Sequence, residues 1–339
     1  MGRFGGLENF VLTLATDLSA FADFDVDVVF KEAGAFDLHQ DLQAAIRACP
    51  APVSFVQRSS FSLLKKILSS DLIHLQNPCP DVAFFSYLAR KPLLINVINH
   101  TRITKSLHQR LWRFCLHLAQ RRFYISEFVR RTWEQTPHPW RSSSVVFPIC
   151  KLSPLEPLPT SQRTGFVFVA RWIENKGLDT LVEAYAHSGL DPRSWPLRLL
   201  GDGPLRPRIL SRLRDLGLSQ HVLTPGFLDE DEKADLIRRS RFAVIPPNTG
   251  EDFGLVAIEA RHLGLPCLIT LDGGVPEAAG VHSLSCPPGD VQALSQLLQT
   301  AAAMSLDDYQ ALADKAHASL PSELVLPAFY ADTYASMLR

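Results

Sequence analysis

The sequence predicts an α/β protein built from two parallel-sheet domains, and three observations carry that prediction. The chain has 339 residues, more than a single hydrophobic core usually serves. Short β-rich runs alternate with longer helix-like stretches along it, and such alternation implies parallel strands joined by helical crossovers. Residues 151–165, KLSPLEPLPTSQRTG, interrupt both periods with three prolines and small polar residues, as a linker does. The expected organisation is a first domain over 1–150, a linker over 151–164 and a second domain over 165–321. A final helical segment over 322–339 is placed to cross back to the first domain.

Hydrophobic residues make up 46% of the chain and charged residues 20%, enough to bury a sizeable core and too regular for long disorder. No apolar run approaches the roughly 18–20 residues that span a bilayer, and Met1 to Phe10 lacks the basic start and apolar core of a signal peptide. The six cysteines are far apart, with no C-x-x-C pair. Reduced thiols and a cytoplasmic location are therefore expected.

In the first half the expected strands are Val26–Phe30, Leu72–Leu75, Leu93–Ile98, Arg122–Ile125 and Ser144–Phe147. Gly2, Gly5 and Gly6 resemble a strand-to-helix loop feeding a helix over Leu7–Leu18, yet no strand precedes them. Either the first strand of this sheet is absent or the amino terminus is arranged differently. In the second half the expected strands are Gly165–Val169, Leu197–Leu200, His221–Leu223, Phe242–Ile245 and Pro266–Thr270. Leu178, Leu181, Val182 and Tyr185 mark one of the helical stripes between them.

The most informative segment is PPNTGEDFGLVAIE, residues 246–259, which follows a strand and opens a helix. Glu251 falls in the loop and Glu259 about one turn inside the helix, so both can face a ligand lying across the helix amino end. The N–H groups around Phe253, Gly254, Leu255 and Val256 suit a phosphate. The same residues also read as a first-turn acid complementing the helix dipole and a solvated helix residue. A second segment, FVFVARWIENKG over 166–177, empties a buried strand into a loop holding Arg171 and Lys176. That pair grips a diphosphate and stabilises the charge growing on a leaving nucleotide; an ordinary loop in which Arg171 pairs with Glu174 is the alternative.

These two segments resemble the retaining enzymes of glycosyltransferase family 4, which have the GT-B architecture. The first resembles the family's Glu, seven residues, Glu motif, and the second its G-R-x-x-x-x-K-G pattern with Ala170 in place of Gly. The resemblance implies two Rossmann-like domains facing a cleft. It gives Glu251 contact with the donor sugar, Glu259 the ribose hydroxyls, and Arg171 and Lys176 the diphosphate. Leu199 to Pro204 resembles the family's G-D-G-P turn, placing Gly201 beside the nucleotide, and Thr224 to Phe227 resembles the segment bordering the base, placing Gly226 and Phe227 there. Asp272 to Glu277 resembles its G-G-x-P-E loop, whose glycines admit a sugar or phosphate or simply form a tight turn. In the first half, His100 inherits a place near the donor sugar, Gly5 and Gly6 the glycine loop facing the diphosphate, and Ser126-Glu127-Phe128 the S-E-x-x-K/R segment. Val146 to Cys150 departs from the family's P-N-G-V-D.

The first 150 residues hold 17 Lys and Arg against 12 Asp and Glu, a net of +5, whereas the remainder carries −6. Residues 102–141 interleave arginines with Leu111, Trp112, Phe114 and Leu116. That stretch fits an anionic membrane surface or an acidic glycan, and equally a helix whose apolar stripe faces the core and whose arginines face water. Nucleic acid is not expected, because no binding motif accompanies the charge.

The sequence lacks H-E-x-x-H, G-x-S-x-G and a G-x-x-x-x-G-K-[ST] loop, and Arg206 stands where a dinucleotide fingerprint needs glycine. No metal and no cofactor are expected, the nucleotide sugar being a substrate. The resemblance implies hexosyl transfer to a glycan, lipid-linked or other hydroxyl acceptor in cell-surface polysaccharide or glycolipid synthesis, at the inner face of the membrane. A non-catalytic nucleotide-sugar-binding subunit and a nucleotide-sugar epimerase on the same fold are the alternatives.

Overall fold

The structure is a computed structural model that describes residues 6–32, 40–102, 106–149 and 151–339. It divides into two compact units, Met1–Lys151 with Leu324–Arg339, and Leu152–Glu323.

In the first unit α1 (Gly6–Leu18) is followed by β1 (Val28–Glu32), α2 (Gln40–Ala48), β2 (Val53–Gln57), α3 (Phe61–Ser69) and β3 (Ile73–Gln76). The chain continues through α4 (Pro80–Leu88), β4 (Leu93–Val97), α5 (Leu107–His117), β5 (Arg121–Tyr124), α6 (Glu127–Glu134) and β6 (Ser143–Val145). All pairings are parallel. One sheet consists of β1 and β2, and a second runs β3-β4-β5-β6. Among the described residues no strand joins these sheets; the expected absence of a strand before α1 falls on residues 1–5, outside the described residues. The helix α1 serves both cores. Its Leu12 and Ala15 cluster with Val28 and Leu42, while Phe10, Leu14 and Leu18 cluster with Leu94 and Phe123.

The second unit runs β7 (Phe166–Val169), α7 (Leu178–His187), β8 (Leu197–Leu200), α8 (Arg206–Asp215), β9 (Val222–Gly226), α9 (Glu230–Arg238) and β10 (Phe242–Ile245). Next come α10 (Leu255–His262), β11 (Cys267–Thr270), α11 (Val275–Ala279), β12 (Leu284–Cys286), α12 (Val291–Ala303) and α13 (Leu306–Ser319). Its six strands lie in the order β12-β11-β10-β7-β8-β9. The chain therefore fills one side of the sheet from β7 outward, then the other from β10, and the order reverses between those two strands. In open α/β sheets that reversal is where ligands bind, outside the carboxyl ends of the strands. Phe166, Phe168, Phe242 and Leu268 are buried, as expected of strands covered on both faces.

The last helix, α14 (Pro327–Leu338), belongs to the first unit. Tyr330 and Tyr334 enter its core beside Phe10 and Leu94. Asn96 Nδ2 donates to the Tyr330 hydroxyl at 3.0 Å, and the His74 ring Nδ1 lies 2.6 Å from the Tyr334 hydroxyl.

Two strands, β2 and β12, are absent from the sequence-based expectation. Each is a short edge strand held by one neighbour, β1 or β11, so its identity comes from a partner distant in sequence. The expected strand His221–Leu223 extends as β9 through Pro225 to Gly226. Proline has no N–H to donate, and it is tolerated here because β9 is the sheet edge.

Candidate active site

Two loops meet at the reversal of the second sheet. After β7 the chain makes a short 3-10 turn at Glu174–Lys176 and enters α7 through Gly177 at φ +67°. A Cβ on Gly177 would fall 1.7 Å from the Pro246 carbonyl oxygen, so only glycine lets this turn press against the end of β10. The contact brings Lys176 to the second loop, where its Nζ lies 2.5 Å from Glu251 Oε2. Arg171, from the same β7 loop, is exposed. Glu174 pairs instead with Arg208 at 3.1 Å, so the expected alternative of an Arg171–Glu174 pair does not hold.

The Glu251 loop is held from β11. Asp272, two residues past that strand, accepts the Gly250 and Glu251 N–H groups at 2.8 Å through Oδ2, and Gly274 donates to the Glu251 carbonyl at 2.8 Å. Gly273 sits at φ +56°, where a Cβ would lie 2.0 Å from the Glu251 carbonyl oxygen. The paired glycines thus fit the backbone of the acidic loop. Asp272 is a positioning residue that its own motif did not single out; a carboxylate just past a strand end, facing a loop rich in N–H donors, is the signal that could have found it.

Phe253 is buried and Gly254, at φ +93°, opens α10 without a side chain to cap it. The first turn, Leu255 and Val256, therefore starts with main-chain N–H groups that no N-cap side chain covers. One turn further on, Glu259 Oε1 accepts from Lys233 Nζ of α9 at 3.3 Å, and Lys233 also pairs with Glu230 at 2.7 Å. Burial raises the Glu259 carboxyl above the usual range, opposed by Lys233. For Lys233 burial works to lower the ammonium, and Glu259 and Glu230 together outweigh it and raise it. Lys233 did not emerge from the sequence, because nothing in α9 signals which helix its side chain meets.

The remaining second-unit positions gather on the other side of β7. The Gly201 N–H donates to the Gly226 carbonyl at 2.9 Å, joining the turn after β8 to the end of β9. Phe227, just beyond, is exposed. Arg206 lays its guanidinium over the Trp172 ring at 5.5 Å and donates to the Thr224 carbonyl at 3.3 Å. One sheet edge thus carries Arg171, Lys176, Glu251, Glu259 and these two glycine turns. The arrangement offers cations and uncapped N–H groups to a diphosphate, and carboxylate acceptors to sugar hydroxyls. Among the described residues no three or more of His, Cys, Asp and Glu converge as a metal site.

The first-unit candidates follow β4 and open α6 and α1. His100 follows β4 and tilts against Phe128 of α6, ring centroids 5.5 Å apart. Ser126 caps α6 by accepting from the Val129 N–H, and Glu127 pairs with Arg130 and Arg131. Gly6 is the first residue of α1, and Gly5 lies outside the described residues.

Residues 157–318 match the model for glycosyl transferases group 1. That segment is just under half of the chain and contains every second-unit residue placed at the sheet edge above. Over 147 residues the chain is 32% identical to an exopolysaccharide phosphotransferase of Streptomyces coelicolor, covering 41% of this chain and 15% of that protein. Over 139 residues it is 30% identical to the putative colanic acid biosynthesis glycosyltransferase WcaL of Salmonella typhimurium, covering 39% and 34%. The chain thus covers about a third or less of the length of these relatives. Likeness in structure extends over the whole chain. Anabaena HepE in complex with UDP superposes with a TM-score of 0.83 at 17% identity, covering 99% of this chain and 98% of that one. WaaG, a glycosyltransferase involved in lipopolysaccharide biosynthesis, gives 0.67 at 16%, covering 98% and 96%. The fold is GT-B, with two Rossmann-like units.

Proposed function

We propose that the chain is a family 4 glycosyltransferase that moves a hexosyl group, with retention of configuration, from a UDP- or GDP-linked donor to a hydroxyl of a glycan or lipid-linked acceptor. The observation that carries this reading is the Lys176–Glu251 pair at the sheet reversal, beside the uncapped start of α10. A lysine parked on a carboxylate is a cation held ready for a better anion. An arriving diphosphate draws Lys176 away, with Arg171 and the α10 N–H groups as further donors, and leaves Glu251 to accept hydroxyl hydrogens from the sugar. Glu259, half-buried and held by Lys233, accepts from the ribose hydroxyls. This complement of positive groups stabilises the departing diphosphate without a metal ion.

In the transfer the bond from the anomeric carbon to the diphosphate breaks while a bond to the acceptor oxygen forms on the same face. The acceptor proton passes to a donor phosphate oxygen and leaves with the nucleoside diphosphate. The matched relatives named exopolysaccharide phosphotransferase and colanic acid biosynthesis glycosyltransferase support a place in surface polysaccharide or glycolipid assembly. We assign the protein to the cytoplasm, peripheral at the inner membrane face. Among the described residues no helix is long and apolar enough to cross a membrane.

Calorimetric titration with UDP and with GDP, without added metal, tests the donor site. Micromolar binding of one nucleotide, weakened at least tenfold by Lys176→Ala, is the expected result. No binding by the folded chain would overturn it. Product analysis with the preferred nucleotide sugar, with and without acceptor, then separates a transferase from an epimerase or a binding subunit, and His100→Ala tests the role the resemblance gives that residue.

A further inference from the structure

The basic stretch over 102–141 departs from the expected helix whose apolar stripe faces the core and whose arginines face water. Arg122 is buried and donates to the Leu116 and Ala119 carbonyls at 2.8 Å, and Arg130 is buried between Glu127 and Glu134. Arg113 donates to the Trp133 carbonyl at 2.8 Å. These arginines hold the first unit together. The apolar stripe of α5, by contrast, faces outward: Leu107 is 82% exposed, Leu111 49% and Phe114 54%. Their spacing of four and three residues sets them on one side of the helix.

The neighbouring helix α4 repeats the inversion. Val82, Ala83 and Ser86 face the sheet, while Phe84, Tyr87 and Leu88 are exposed. Beside α4, α3 buries Leu63 and Ile67 and exposes Phe61 and Leu68. α3 packs on α4 and α4 on α5, and each of the three helices turns two or three large apolar side chains to the outside, where a soluble surface normally carries such residues singly. Lys65 of α3, Arg90 just after α4 and Arg110 of α5 are exposed on the same three helices or their ends, and neither α3 nor α5 contains an acid. The acid of α4, Asp81, is paired with Lys31 at 2.6 Å, and Asp71 lies beyond the end of α3.

We infer that the outer face of α3, α4 and α5 docks on an anionic lipid surface. This deepens the membrane contact of the reading above by naming the face that makes it. Apolar side chains enter the region between headgroups and acyl chains, and the interspersed cations meet lipid phosphates. A second copy is the poorer occupant, because a two-fold pairing of this face sets Lys65, Arg90 and Arg110 against the same charges.

Vesicle flotation of the full chain tests the inference, using phosphatidylcholine alone and phosphatidylcholine mixed with phosphatidylglycerol. The expected result is binding to the mixed vesicles that falls with added salt. The pairs Leu111→Ser with Phe114→Ser and Phe84→Ser with Leu88→Ser each reduce it about tenfold or more. Lys65→Glu with Arg110→Glu reduces it and flattens its salt dependence. Leu223→Ser with Val281→Ser, which removes exposed apolar residues of the second unit, leaves it unchanged. Absence of binding to mixed vesicles, or binding that the α4 and α5 variants leave intact, overturns the inference. So does a dimer in sedimentation velocity that those variants dissolve. The measurement uses no nucleotide, so its failure is distinct from failure of the proposed transfer, which nucleotide titration reads.

Discussion

The Lys176 ammonium lies 2.5 Å from the Glu251 carboxylate, so that the loop after β7 and the loop after β10 are joined by one ion pair at the point where the strand order reverses. Both side chains are partly shielded, at 26% and 15% exposure. In the proposed mechanism this bond breaks when the donor arrives. The two residues should therefore respond differently to mutation. Lys176→Ala is expected to weaken nucleoside diphosphate binding at least tenfold. Glu251→Gln should leave that affinity equal or tighter, because Lys176 is released to the phosphates, and should lower kcat/KM by about a hundredfold or more. Calorimetry beside steady-state transfer rates checks the pair.

Gly273→Ala places a methyl group on the Glu251 carbonyl in a left-handed turn. A cost of about 1–3 kcal/mol in stability is expected from the backbone conformation, together with lower activity as the acidic loop shifts. Asp272→Ala removes the acceptor of the Gly250 and Glu251 N–H groups and should lower kcat more than it lowers the thermal midpoint. Equal activity in both variants would show that the loop needs no such support.

Lys233→Ala leaves Glu259 without its cation, and the carboxyl should then rise further. If ribose binding needs the ionised form, nucleotide affinity falls as pH falls through the Glu259 pKa, and the midpoint of that fall moves to higher pH in the variant. Dissociation constants for the preferred nucleotide measured from pH 5 to 8 for both proteins decide the matter. An unmoved midpoint would separate Lys233 from Glu259 function.

His74 is half-buried against Tyr330 and Tyr334 of α14, and loss of water around its ring lowers its pKa to about 4 from 6.5. Below about pH 6.5 the unfolded chain binds a proton that the folded chain refuses. The stability from this group is therefore complete above that pH and is lost as pH falls towards 4. Between pH 7 and 5 the loss should be about 2 kcal/mol greater in the wild type than in His74→Phe. Urea unfolding of the two proteins at both pH values measures it.

Arg130 bridges Glu127 and Glu134, and Glu134 is buried. Arg130→Met strands that carboxylate, and a loss of about 3–5 kcal/mol is expected. Adding Glu134→Gln should recover part of it in the same denaturation measurement, because the uncompensated charge is then gone.

Much of the fold was legible in the sequence because its central strands are buried on both faces. Runs such as Leu93–Ile98 and Phe242–Ile245 need no partner to be recognised, whereas β2 and β12 exist through the neighbours that bond them. The same holds at the site. Lys176, Glu251 and Glu259 stand out through their placement at loop and helix starts after buried strands. Asp272 and Lys233 act through contacts that sequence separation hides. On the first unit's surface, helical periodicity in α5 marks an amphipathic stripe without telling which side faces the sheet.

By itself the sequence determined the alternation of strands and helices and the chemical character of the two loops. These follow from local patterns of apolar, glycine and charged residues. The tertiary structure alone decided which loops meet, that Gly273 fits against Glu251, and that Leu111 and Phe114 face outward while Arg122 and Arg130 turn inward. The physical reason is that a side chain's partner is fixed by the order of strands in the sheet and the space between helix and sheet. Neither is encoded in any single stretch of chain.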